Sequence, residues 1–205
     1  MLPLLWVTDH RLFLLLNGHP AAALARALAG LLLRVGTGGA CWLALFLFVF
    51  LIGGRRGRRI ALTGALAVLL AHAVAAWGLE GLVQRADPRL VLPPGVFTLA
   101  PFQPPFSFPA TRVAAAFAAL PFLNRGGTTA TALVWAVAVG LAWAEVYGGA
   151  AFPTDALAGL LIGLACARLA TWLLGDPFRR RPGPLIPLSR RGRGTPAAPL
   201  SPAQP

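Results

Sequence analysis

Charge falls in short blocks along this chain, and long uncharged runs lie between them. Residues 38–54 carry no charge and end at Arg55-Arg56-Gly57-Arg58-Arg59. Residues 60–79 are again uncharged, as are 127–144 and 156–167, the last run continuing past Arg168 to Leu174. A helix crossing the hydrocarbon core needs roughly 20 apolar residues, so these four runs predict spans. Residues 112–123 form a shorter run with a helix-compatible Ala/Phe/Leu pattern. In residues 20–33, Pro20 suits a first helical position and Arg26 sits mid-run, so the segment either spans or lies in the interface. The expected fold is all-α: an integral membrane bundle of about six helices within residues 1–175. From Asp176 onward Pro, Gly, Ser and Arg dominate without apolar periodicity, which predicts a disordered basic tail over 176–205.

Composition strengthens this reading. Of 205 residues, 57% are hydrophobic and 12% are charged, against about 25% charged in soluble domains. The net charge is +12, and all 18 basic residues are arginine. The arginines stand in blocks beside apolar runs, with no basic amphipathic helix and no zinc spacing, so a nucleic-acid partner is not expected. They fit membrane orientation instead. With the 55–59 loop inside, eleven arginines (55, 56, 58, 59, 125, 179, 180, 181, 190, 191, 193) face the cytoplasm and four (34, 85, 89, 112) face outward. This places the chain in the cell membrane with a cytoplasmic tail. Cys41 and Cys166 lie in apolar runs and read as small buried hydrophobes. No metal set and no cofactor are expected. The N-terminus has no basic stretch before its first apolar residues, and Asp9, His10 and Arg11 interrupt it, so a cleavable signal is not expected.

Polar residues gather at span ends on the outer side. One cluster is Glu80 with Arg85-Ala86-Asp87-Pro88-Arg89, a second is Ser107 to Arg112, and a third runs from Glu145 to Asp155. Ionisable groups at such places are functional candidates. Between the first two clusters, residues 91–109 hold six prolines and four phenylalanines. That loop is either a lid in the headgroup layer or an irregular connector with interfacial aromatics.

These clusters resemble the type 2 phosphatidic acid phosphatases, membrane phosphatases related to vanadium haloperoxidases, whose pattern is K-x6-R-P, P-S-G-H and S-R-x5-H-x3-D. The likeness spans Arg11 to Leu174. Phe106-Ser107-Phe108-Pro109 resembles the lead-in to the second motif. Val146-Tyr147 and Phe152-Pro153-Thr154-Asp155-Ala156-Leu157-Ala158-Gly159 resemble the third motif and its helix. The family chemistry implies a histidine that attacks phosphorus, an aspartate that orients it, a second histidine that protonates the leaving alkoxide, and a lysine and arginines that hold phosphate oxygens.

The departures fall on those roles. Ala151 stands at the nucleophile position and Arg112 at the general-acid position, while Asp155 is kept. Ala110 and Thr111 replace Ser and Gly, and Ala144 and Glu145 replace Ser and Arg. In the first motif, Arg89 is the arginine with Leu82 at the lysine position, or Pro88 is the proline with Asp87 and Glu80 in place of arginine and lysine. An alanine has no lone pair, and an arginine does not release a proton near neutral pH. His10 and His19 lie near the N-terminus, and His72 lies mid-span, where a packed polar contact is the plainer reading. Arg85, Arg89 and Arg112 are the remnant of a phosphate clamp, or else they pair with Glu80, Asp87, Glu145 and Asp155 and close the old pocket. The expectation is a catalytically inactive relative that binds a lipid phosphate or a membrane partner. An active lipid-phosphate or isoprenyl-pyrophosphate phosphatase with non-standard residues, and an unrelated helical membrane protein, are the alternatives.

Overall fold

The computed structural model describes residues 2–17, 23–92, 96–99, 106–124 and 128–178. The expected tail beyond Phe178, the Arg125 turn, His19, Pro20 and much of the proline-rich loop lie outside the described residues. Among those described there are eight helices and no strand: α1 Leu2–Asn17, α2 Ala23–Val35, α3 Ala40–Ile52, α4 Arg55–Val83, α5 Pro88–Val91, α6 Thr111–Leu123, α7 Thr128–Tyr147 and α8 Pro153–Leu174. Helix α4 changes character along its length, with π-helical Ala73–Leu79 between its α-helical ends.

Three helices, α4, α7 and α8, are long and apolar enough to cross a membrane. The all-α membrane bundle is therefore as expected, but its parts are not all those the sequence predicts. Helices α2 and α3, read as two separate elements, together make one span's worth of apolar chain bent by 66°. Helix α1 is not among the helices that the sequence reading counted. Asp9 and His10 stay inside it because they meet partners from α8 and its approach, Thr154 and the Phe152 ring, while Arg11 is exposed.

The bundle is organised around α6. Ten of its thirteen residues are buried, from Arg112 through Leu120 and Phe122. A helix apolar on all sides belongs in a core, and its alanines let neighbours come close. Helix α8 exploits this with Gly159 and Gly163. A Cβ at Gly159 would strike the Ala110 carbonyl, and one at Gly163 the Ala114 carbonyl. Small residues four apart allow this backbone approach in a membrane, where apolar side chains gain little by leaving lipid. Outward faces are apolar too: Trp77 is 81% and Leu82 80% exposed, and Leu24, Leu161 and Trp172 also face away from the protein. Water would penalise such a surface, whereas hydrocarbon solvates it.

Arg59 and Thr63 of α4 share a cleft with Leu174, Gly175 and Asp176. The start of α4 and the exit of α8 are thus at one end of the bundle. The three polar clusters assemble away from it, where α4 ends and α6 and α8 begin.

Candidate functional site

Helix α8 opens with Pro153 at its first turn, which needs no N–H there. Asp155 accepts the Phe152 N–H at 3.1 Å and so caps this end. The same carboxylate, fully buried, takes Arg85 Nη1 at 2.5 Å. Arg85 also reaches Asp9 of α1 at 2.5 Å, donates to Thr154 Oγ1 at 2.7 Å, and lies over the Phe152 ring at 4.1 Å. Asp9 completes the knot by accepting the Thr154 N–H at 3.0 Å and its hydroxyl at 2.6 Å. One guanidinium thus bridges two buried carboxylates from distant parts of the chain. Farther along α1, Asn17 donates to the carbonyls of Phe97 and Tyr147 and accepts the Phe97 N–H, which ties α1 to the 96–99 segment and to the end of α7.

A second pair is local. Asp87 caps α5 by accepting the Arg89 N–H, and it holds the Arg89 side chain through Nε at 2.8 Å and Nη2 at 2.5 Å. Those hydrogen bonds push the Arg89 proton affinity still higher, so its charge is permanent.

A third pair is the deepest. Arg112 Nη1 meets Glu145 Oε1 at 2.8 Å, with both side chains 3% exposed. Among the described residues Arg112 Nε and Nη2 have no partner. Unmade hydrogen bonds on a buried guanidinium are costly, which marks this residue as incompletely satisfied by the described residues.

Beside it lies a cavity of about 160 Å³. Arg112, Glu145, Thr111, Ser107, Ala150 and Ala151 form one part of its wall, and His72, Ala76 and Glu80 of α4 form another. The protein therefore brings Arg112, Glu145, Ala151 and Glu80 to one chamber. It does not bring Arg85, Arg89, Asp87 or Asp155 to that wall; these four are engaged in ion pairs of their own. The sequence reading missed two participants. Asp9 is a second partner of Arg85, and His72, read as a packed mid-span contact, lines the chamber with its Nδ1 unpartnered among the described residues. The signal for both was an ionisable residue inside an apolar segment.

This arrangement of helices occurs in solved structures. Aquifex aeolicus LpxE superposes with a TM-score of 0.66 at 24% identity, over 79% of this chain and 93% of that one. A transmembrane PAP2 type phosphatidylglycerolphosphate phosphatase from Bacillus subtilis gives 0.62 at 20% identity, over 85% and 89%. The chain has the fold of membrane PAP2-type phosphatases. No protein-family model and no curated protein matches the sequence. At these identities the likeness establishes the fold, and activity must be argued from the site.

Proposed function

We propose that this protein is a non-catalytic relative of the membrane lipid-phosphate phosphatases, which binds a phosphate-bearing lipid headgroup in the chamber at Arg112. The observation that carries the proposal is the pair of unpartnered nitrogens on Arg112, buried beside an open chamber. An anionic oxygen entering there gains charge-assisted hydrogen bonds that the protein leaves unmade. Loss of turnover follows from the neighbours. Ala151 offers only a methyl group at the family's nucleophile position, and Arg112 does not release a proton to a leaving alkoxide near neutral pH. The retained Asp155, which in the family mechanism would orient the nucleophile, is committed to Arg85 and Phe152. Catalytic groups of this kind act as a unit, and several missing together leave little.

The test is phosphate release by the purified, detergent-solubilised chain from phosphatidic acid, phosphatidylglycerolphosphate and isoprenyl pyrophosphate. Turnover equal to that of Asp155→Ala is expected. The placement of His72 on the chamber wall favours one second reading, an active hydrolase whose imidazole comes from α4. Release above background that disappears in His72→Ala would establish that reading and overturn ours. We also assign the 55–59 loop and the tail to the cytoplasmic side, on the arginine distribution.

A further inference from the structure

The chamber is not built for the headgroup of a phosphomonoester. Among the described residues its charged walls are Arg112, Glu145 and Glu80, whose formal charges sum to minus one. Glu145 is spent on Arg112. Glu80 makes no ion pair or hydrogen bond among the described residues, and it stands two turns along α4 from His72 on the same chamber wall. A dianionic phosphate would meet one half-satisfied cation and an unpaired carboxylate in the same small space. Like charges sharing one pocket repel.

The two walls differ in kind. The α6 wall offers donors, the unpartnered N–H groups of Arg112. The α4 wall offers acceptors, the Glu80 carboxylate and the unpartnered Nδ1 of His72, which accepts when the ring proton is on Nε2. His72, Ala76 and Glu80 are spaced by four and all face the chamber, and the π-helical Ala73–Leu79 lies between the two polar ones. Such π segments recur at functional sites. A cavity of about 160 Å³ suits a compact headgroup.

From this juxtaposition we infer that the chamber recognises a zwitterionic phosphodiester headgroup with a primary ammonium, its phosphate on Arg112 and its ammonium between Glu80 and His72. This rests on the reading of the chamber as a lipid-phosphate site and names the headgroup class it selects. A net-neutral ligand adds no charge to the chamber and satisfies both walls. A quaternary ammonium fits less well, since it is bulkier and has no N–H to give Glu80.

The experiment measures binding of dihexanoyl phosphatidylethanolamine, phosphatidylcholine and phosphatidic acid to the full-length protein in detergent, by calorimetry. Wild type should prefer the ethanolamine lipid over phosphatidic acid by about tenfold, with the choline lipid weaker than the ethanolamine one. Glu80→Gln should erase that preference while still binding phosphatidic acid. Arg112→Gln should lose all three. A wild-type preference for phosphatidic acid, or a preference for the ethanolamine lipid unchanged in Glu80→Gln, overturns the zwitterion assignment and leaves the phosphate site standing. Absence of Arg112-dependent binding with every probe overturns both.

Discussion

Arg85 is the residue on which most of the polar end depends. It bridges Asp9 and Asp155, whose side chains are 2% and 0% exposed. Removing one partner of a buried ion pair costs about 3–5 kcal/mol, because the remaining charge has no water to turn to. Arg85→Ala leaves two such carboxylates, and its stability to thermal unfolding in detergent should fall by at least that much. The contrast is Arg112 with Glu145. Arg112→Leu alone should destabilise by about 3–5 kcal/mol, whereas Arg112→Leu with Glu145→Leu should recover most of the loss, since a buried pair replaced by apolar groups is often neutral. A double variant no more stable than the single one would mean that the pair itself organises this end of the bundle. At this scale the sequence was informative about residue types at motif positions. It was silent on partners, because the Arg85–Asp9 contact joins residues 76 apart, and no local pattern encodes such a distance.

Among the elements, α4, α7 and α8 were the most legible, since an uninterrupted apolar run has few alternatives to a helix in lipid. Helix α1 was hidden by its own polar residues. Asp9 and His10 look like a break until the tertiary partners are known: Arg85 and Thr154 for Asp9, and the Phe152 ring for His10. The bend between α2 and α3 falls at Gly36-Thr37-Gly38-Gly39. Such a glycine-rich break marks where a helix stops, but it reads the same whether the two helices cross the membrane separately or share one crossing. The α6–α8 contact gives the sharpest element-level prediction. Gly163→Leu must push α8 off the backbone of α6 at Ala114 and Ala118. It should lower stability by several kcal/mol, at the upper end of overpacking costs of ~1–3 kcal/mol or beyond. Leu161→Ala, on the exposed face of the same helix, should change it little in the same unfolding assay.

The whole molecule is a polar chamber held at one end of an apolar bundle, with the arginine-rich start of α4 at the other. Cysteine labelling in intact cells should find positions 55–59 and the tail protected together, and positions 96–99 accessible from outside. Labelling of both regions from the same side would overturn the assigned orientation. The short central helix gives this architecture an electrical consequence. Thirteen residues of α6 cover about 20 Å at 1.5 Å each, and the hydrocarbon core is about 30 Å thick. If the far end of α6 lies level with the opposite face of the hydrocarbon core, a headgroup that reaches Arg112 at the α6 N-terminus travels partway into the membrane field, which acts at about 2.3 kcal/mol per charge per 100 mV for a full crossing. A dianion would have its occupancy set in part by the membrane potential, whereas a headgroup of balanced charge enters with no net charge moved, so that the resting voltage of the cell neither fills the chamber nor empties it.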